Sequence, residues 1–127
     1  MNHKELDAWS KSISLVMKVY NLTKEMPDSE KFGLTNQMRR AAVSIPSNIA
    51  EGAARDSDNE FIKFLYYSLG SAAELETQLI LSQKLRFLSI PDNVDDDIQK
   101  TKQIIIGMIR YLKSKKNKDI ILSSTID

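Results

Sequence analysis

Hydrophobic positions recur at helical spacing along four segments of the chain, and short polar breaks separate these segments. Apolar residues three or four positions apart share one face of a helix, which predicts helices over about residues 4–24, 30–54, 59–88 and 93–116. A tail of residues 117–127 follows. The four helical segments predict an all-α protein. The connections between them are short, and short connections make neighbouring helices antiparallel. We expect an antiparallel up-down-up-down four-helix bundle that forms a single domain over residues 1–127.

The first segment carries two apolar stripes on opposite sides of the helix. The broader stripe, which the spacing predicts as the core face, consists of Leu6, Trp9, Ile13, Val16, Met17 and Tyr20. The narrower stripe consists of Leu15, Val19 and Leu22. A lone amphipathic helix needs only one such stripe. The second is therefore either a set of scattered surface residues or a contact surface, within the bundle or between subunits.

Pro46 lies inside the second segment, whose apolar periodicity continues in phase on both sides of it. A proline within a helix removes one hydrogen bond, here the one to the Ala42 carbonyl, and bends the helix. Ser44 and Ser47 are placed to relieve such a kink locally. We therefore favour one helix kinked at Pro46 over two shorter helices joined at residues 44–47.

Polar residues at the breaks supply candidate helix caps. Asp28 or Ser29, directly after Pro27, is predicted to cap the second helix. Asp56, Ser57 or Asp58 is predicted to cap the third helix, and Glu60 is the capping-box partner if Ser57 is the N-cap. The fourth segment has aspartates at its start and lysines at its end, which complements the helix dipole. These lysines are also a candidate contact for RNA or another anionic surface.

A stripe of polar residues, here called the polar seam, is predicted along the facing sides of the second and third helices. At about 100° per residue, the second helix contributes Gln37, Arg40, Ser44, Asn48, Glu51 and Arg55. The third helix contributes Glu60, Lys63, Tyr67, Ser71, Glu74 and Gln78. In an antiparallel hairpin, opposed residue numbers would sum to about 115. The charged pairs are then opposite in sign: Arg40 with Glu74, Glu51 with Lys63, and Arg55 with Glu60.

Two interpretations of the polar seam remain open. The first is a hydrogen-bonded network that fixes the register between two helices. The second is a groove or interface that displays basic and amide side chains to a partner, because arginines beside amides can contact phosphates. The candidate partner-binding residues are Arg39, Arg40, Asn48, Arg55 and Lys63.

The composition excludes most catalytic and metal chemistry. The 127 residues include no Cys and a single His, at position 3, so thiolate sites and serine hydrolases of the usual kind are ruled out. Glu51, Glu60 and Glu74 lack the Glu-x-x-His motif of di-metal bundles. We therefore expect no catalytic residues, no metal, no cofactor and no small-molecule substrate.

The formal net charge is +1, which gives no global attraction to nucleic acid. Such binding would have to come from a local patch. The N-terminal segment has no apolar signal region, and no stretch is long and apolar enough to cross a membrane. We therefore expect a cytoplasmic protein with no membrane partner.

The most distinctive stretch of the chain is FGLTNQMRRAAVSIPSNIAEG, over residues 32–52. It is followed by Arg55, Glu60-Phe61, Gly70-Ser71 and Glu74-Leu75-Glu76. Together with Trp9 and Tyr20, this pattern resembles the signature of the 23S rRNA-intervening sequence proteins, from residue 6 to residue 115. Members of that family are antiparallel four-helix bundles with no assigned enzymatic activity. Some are encoded within intervening sequences of bacterial large-subunit rRNA genes, and the family name does not itself indicate RNA binding.

The chain is also similar to the accessory protein of diversity-generating retroelements, a ring-like pentamer that binds nucleic acid and a reverse transcriptase. This resemblance implies a homo-pentamer that acts as a nucleic-acid-binding or adaptor ring. Its partner would then be RNA, DNA or a nucleic-acid enzyme. The alternative is a structural or protein-binding oligomer with no nucleic-acid partner.

Overall fold

The structure, a computed structural model, describes the backbone of residues 2–126 and the side chains of residues 2–115 and 117. Four α-helices follow one another: α1 (Asp7–Thr23), α2 (Leu34–Ala53), α3 (Asp58–Lys84) and α4 (Asp92–Ile126). Short 3-10 turns at His3–Glu5 and Asp28–Glu30 precede α1 and α2. The protein is 83% helical, and the described residues contain no strand. The predicted all-α class with four helices is therefore confirmed.

The second helix begins later than its sequence pattern predicts. Asp28–Glu30 forms a 3-10 turn, and α2 starts at Leu34 after Gly33, which makes no side-chain capping hydrogen bond. The prediction that Asp28 or Ser29 caps this helix is therefore wrong. In contrast, the predicted cap of α3 is present, because Ser57 Oγ accepts a hydrogen bond from the Glu60 amide at 3.1 Å.

The third helix ends at Lys84, before the predicted end near residue 88. Arg86 adopts a left-handed conformation with a φ of 64°, and the Phe87 amide donates to the Ser82 carbonyl at 2.9 Å. This reversal closes the helix with a Schellman motif and returns Leu88 to the core, where it is buried. The fourth helix runs on to Ile126, so residues 117–126 continue it and do not form the predicted separate tail.

The core face of α1 is opposite to the predicted one. Leu15, Val19 and Leu22 are buried, whereas Met17 is 67% exposed. The buried stripe includes Ser12, whose Oγ donates to the Trp9 carbonyl at 2.8 Å. Because a serine interrupts this stripe in the sequence, the opposite side looks more apolar, although a serine bonded to its own helix can be buried at little cost.

The helix α2 is continuous through Pro46, which is buried, so the alternative of two shorter helices is wrong. Ser47 Oγ donates to the Val43 carbonyl at 2.8 Å, a bond within the turn that contains the proline. A bend at Pro46 stays a prediction.

The most extensive packing joins α2 to α3. Ser68 Oγ donates to the Ile45 carbonyl at 2.8 Å, and Gly52 lies against Phe61 and Phe64. Later residues of α2 therefore meet earlier residues of α3, so this pair of helices is antiparallel. The helices α1 and α4 also pack against each other, and an ion pair between Lys18 and Asp97 joins them.

Candidate functional site

The centre of the polar seam forms as the sequence predicts. Ser71 Oγ of α3 donates to Ser44 Oγ of α2 at 3.0 Å. Asn48 Nδ2 donates to the carbonyl and to the hydroxyl of Ser44, at 2.9 Å in each case. Asn48 therefore bonds within α2 and not to Tyr67, whose ring instead packs edge-on against Phe64 with centroids 5.4 Å apart.

The three charged pairs predicted across the seam do not form among the described side chains. Arg55 Nη2 pairs with Glu51 Oε1 along α2, at 2.9 Å, and its guanidinium lies 4.8 Å from the centroid of the Phe64 ring. Residues four apart in a helix are close neighbours, so the Glu51 carboxylate pairs with Arg55 and not with Lys63 on the facing helix. Glu51 therefore forms no ion pair with Lys63, and Arg55 forms none with Glu60.

Residues from three helices line an open groove of about 890 Å³, here called the arginine groove. Its lining is Tyr20 of α1, Asn36, Gln37, Arg39, Arg40, Ala41, Val43 and Ser44 of α2, and Glu74 and Gln78 of α3. Five members of the polar seam thus share this groove. Of these, Gln37, Arg40 and Glu74 are exposed, whereas Gln78 is buried.

The two arginines of the groove differ in how they are held. Arg39 Nε donates to Thr23 Oγ1 at 2.9 Å, and Arg39 Nη2 donates to the Tyr20 carbonyl at 3.4 Å. The Arg39 guanidinium also lies 4.6 Å from the centroid of the Tyr20 ring. Arg40 is exposed and forms no hydrogen bond or ion pair with any side chain that the structure describes. Arg39 is therefore held by contacts with α1, whereas Arg40 is not held by any described side chain.

Two side chains of α3, Glu74 and Gln78, also line this groove. Glu74 is exposed, and it forms no ion pair with Arg40 or with any other residue in the described part of the chain. Gln78 is 9% exposed, and its Oε1 is buried without a hydrogen-bond partner. Arg40 and Glu74 thus line one groove, as their predicted opposed positions require, but they form no ion pair.

An exposed apolar surface lies beside the arginine groove on α1. Ile13 is 38% exposed, Met17 67% and Tyr20 39%. Trp9 is half-buried on the same face and lines a shallow groove of about 250 Å³ with Ile13 and residues of α2 that include Val43. We call Trp9, Ile13, Met17 and Tyr20 the apolar stripe of α1. The sequence pattern predicts all four in the core, but the structure exposes Ile13, Met17 and Tyr20 and packs Trp9, partly buried, against the core.

Comparison with known proteins identifies the family. The sequence profile of the 23S rRNA-intervening sequence proteins matches residues 4–113. The chain belongs to the 23S rRNA-intervening sequence protein family. No curated protein matches it significantly.

One solved structure similar to this 23S rRNA-intervening sequence protein comes from Bacteroides thetaiotaomicron VPI-5482. It is described as a protein of unknown function from the S23 ribosomal protein family. The two sequences are 25% identical, with a TM-score of 0.74, over 80% of this chain and 97% of the other. The resemblance and the four-helix fold predicted from the sequence are thus confirmed.

The basic residues of this family member do not form one cluster. Arg39 and Arg40 lie in the arginine groove, whereas Arg55 follows the end of α2 and Lys63 lies in the second turn of α3. Arg40 lies thirteen positions before Ala53, where α2 ends, which corresponds to about 20 Å along the helix axis, and Arg55 lies beyond that end. Any partner that touches both must therefore span most of the length of α2.

No group of three or more His, Cys, Asp or Glu side chains capable of holding a metal ion occurs in the part that the structure describes. Glu60 is one of the three glutamates considered for such a site. Its backbone amide donates a hydrogen bond to Ser57 Oγ at the N-terminus of α3. In the same described part, none of the helices has the length and apolar character needed to cross a membrane.

Proposed function

We propose that the protein is a non-enzymatic homo-oligomer whose subunits meet at the apolar stripe of α1. The observation that carries this proposal is the exposure of Ile13, Met17 and Tyr20 along one face of a helix. Contiguous exposed apolar surface is typical of interaction sites. The likeness to the accessory protein of diversity-generating retroelements favours a pentamer. The order of the helix contacts is also consistent with an up-down-up-down bundle, which would leave this face of α1 on the outside.

Substitution within the apolar stripe tests the proposal. Met17→Glu places a charge on the exposed face, and Ser14→Glu places the same charge on α1 at an exposed position outside the stripe. Burial of an unpaired carboxylate is unfavourable, so the Met17 variant should dissociate while the Ser14 variant keeps the mass of the unmodified protein. Light scattering measures both. The proposal is wrong if the unmodified protein is itself a monomer at all accessible concentrations.

As a second function, we propose that the oligomer binds nucleic acid, directly or as an adaptor for a nucleic-acid enzyme, through Arg39, Arg40, Asn48, Arg55 and Lys63. The supporting observation is that Arg40 and Lys63 are exposed and have no ionic partner among the described side chains. Unpaired cations on a surface are the groups that contact phosphates, and their contribution falls as salt rises.

The double variant Arg40→Glu, Arg55→Glu should weaken the binding of RNA and DNA by about tenfold or more and flatten its salt dependence. The matched control is Lys11→Glu with Lys100→Glu, which changes the net charge equally at two exposed positions away from the groove. If both double variants bind as the unmodified protein does, the basic residues of α2 are not the site. A complete lack of nucleic-acid binding would leave the alternative function, a structural or protein-binding oligomer.

A further inference from the structure

Five exposed residues of α3 form an uncharged line along the outside of the helix. Tyr66, Gly70, Ala73, Thr77 and Ile80 are exposed, and they lie three or four positions apart, which places them on one side of a helix. We call these five residues the outer face of α3. Tyr66 is 46% exposed and Ile80 is 47% exposed, so the two ends of this face present large apolar side chains to the surface.

The outer face of α3 differs from the exposed side of a solvated helix. A helix that packs on one side and meets water on the other normally carries polar residues on its outer side. The helix α4 follows this rule, because Lys100, Gln103 and Arg110 are exposed on it. In α3 the residues that pack in the core, such as Leu65 and Leu75, lie on other positions of the helix. The outer face is therefore an additional apolar surface, which favours contact with another protein surface.

The two hydroxyl groups on this face already have partners within the chain. Thr77 Oγ1 donates to the Ala73 carbonyl at 2.9 Å. The Tyr66 hydroxyl accepts a hydrogen bond from Lys113 Nζ at 2.8 Å. Burial of a polar group is costly only to the extent that it loses hydrogen bonds, so these two bonds lower the cost of covering the outer face of α3.

The outer face of α3 and the apolar stripe of α1 belong to diagonal helices of the bundle. The helices α1 and α3 each pack against α2 and α4, and they make no contact with each other in the part that the structure describes. One subunit thus carries two unlike apolar surfaces. A twofold interface between two copies of the stripe would leave the outer face of α3 in water. A head-to-tail interface, in which unlike surfaces meet, covers both surfaces of a subunit.

The two surfaces match in length and in the absence of charge. The apolar stripe runs for about 16 Å along α1, from Trp9 to Tyr20, and the outer face of α3 runs for about 21 Å, from Tyr66 to Ile80. Neither surface includes a charged residue, and the centres of protein interfaces are depleted of charged residues. A second copy of this chain can therefore cover either surface without placing an ion at the centre of the contact.

The side chains of the two surfaces are also complementary in size. The apolar stripe carries large side chains, among them Met17, which is 67% exposed. The middle of the outer face of α3 consists of Gly70, Ala73 and Thr77, and nothing lies within 4 Å of a Cβ built at Gly70. Large side chains pack well against facing small ones. The middle of this face can thus receive the side chains of the stripe.

We propose that the apolar stripe of α1 packs on the outer face of α3 of a second copy of this chain, so that the subunits join head to tail. Each subunit gives its stripe to one neighbour and its outer face of α3 to the other. Such contacts form a closed ring when the rotation between neighbours allows it. This inference rests on the proposed oligomer and names the surface that the stripe of α1 meets.

A charge in the middle of the outer face of α3 tests the proposal by light scattering. Ala73→Glu and Ala73→Lys should both reduce the mass to that of the single chain, because each places an unpaired charge in the contact. Ser14→Glu, at an exposed position of α1 outside both surfaces, should keep the mass of the unmodified protein. Gly70→Ala, which leaves the face uncharged, should keep that mass as well. Circular dichroism checks that each variant is folded.

A mixture of two dissociated variants distinguishes a head-to-tail contact from a twofold one. Met17→Glu has an altered stripe and an intact outer face of α3, whereas Ala73→Glu has the reverse. Mixed in equal amounts, they should form a complex of two chains, about twice the chain mass of 14.4 kDa, because one intact interface remains between them. This complex should not grow further, since the surfaces left at its ends carry the substitutions.

The outcomes separate this inference from the function on which it rests. An Ala73→Glu variant with the mass of the unmodified protein would overturn the role of α3 and leave the oligomer formed through α1 intact. A mixture that contains only single chains would overturn the head-to-tail contact. An unmodified protein that is a monomer at all accessible concentrations would overturn both the inference and the proposed oligomer.

Discussion

Gly52 of α2 lies so close to Phe64 of α3 that a Cβ built on the glycine would stand 2.7 Å from the Phe64 Cβ. The same Cβ would also lie 3.0 Å from Phe61 Cδ1. Real carbon atoms do not approach so closely without a shift, so the absence of a side chain at position 52 sets the spacing between the two helices. The same pair of helices brings Arg40 of α2 and Glu74 of α3 to one groove.

Gly52→Ala should therefore destabilise the protein, although alanine is the better helix former. We expect the free energy of unfolding to fall by about 1–3 kcal/mol, since an added methyl group in a packed interface forces side chains and backbone apart. Urea denaturation measures the change. Gly70→Ala is the matched control, because nothing lies within 4 Å of a Cβ built at position 70, and it should leave the stability unchanged or raise it. Equal effects of the two substitutions would contradict the close packing at Gly52.

The exposed and buried faces of α1 can be told apart by truncation. Leu15 is fully buried and Met17 is 67% exposed. Leu15→Ala should lower the free energy of unfolding by about 2–5 kcal/mol, because it leaves a cavity in the core. Met17→Ala should change it by less than about 0.5 kcal/mol in dilute protein. The opposite order would mean that the face predicted from the sequence pattern is the core after all.

The hydrogen bond from Ser68 Oγ to the Ile45 carbonyl, 2.8 Å long, is buried between α2 and α3. Ser68→Ala should cost about 0.5–1.5 kcal/mol of stability, the usual net contribution of one such bond. Thr77→Ala serves as the comparison, because Thr77 Oγ1 donates to the Ala73 carbonyl of its own helix at an exposed position. Thermal unfolding of the two variants should show a lower midpoint only for Ser68→Ala. If neither variant has a lower unfolding midpoint, this hydrogen bond does not stabilise the pairing of α2 with α3.

Helical periodicity alone predicts the pairing of α2 with α3, because residues on one helix face have fixed angular positions. The contact between Ser44 and Ser71 and the cap at Ser57 follow from this geometry. The partner of a long charged side chain does not, because Arg55 can reach either Glu51 on its own helix or Glu60 on the next. The ion pair of Arg55 with Glu51 depends on local distances between side chains, which the angular positions of residues around a helix do not give.

The periodicity of α1 was misleading for a different reason. Its core stripe contains a buried Ser12 that bonds to its own helix, and its outer stripe contains large apolar residues such as Met17 and Tyr20. A rule that counts apolar residues therefore selects the wrong face. For the same reason the sequence does not predict the contacts of Arg39 with Tyr20 and Thr23. These contacts depend on which face of α1 lies beside α2.

Light scattering, combined with the ratio of absorbance at 260 nm to 280 nm across the same peak, shows whether the subunits assemble and carry nucleic acid. A pentamer that holds nucleic acid should give one peak of about five times the chain mass of 14.4 kDa, with excess absorbance at 260 nm. A peak of that mass without the excess would favour the structural or protein-binding oligomer. A single peak at 14.4 kDa would contradict the account, because the apolar stripe of α1 would then have no second subunit to cover it.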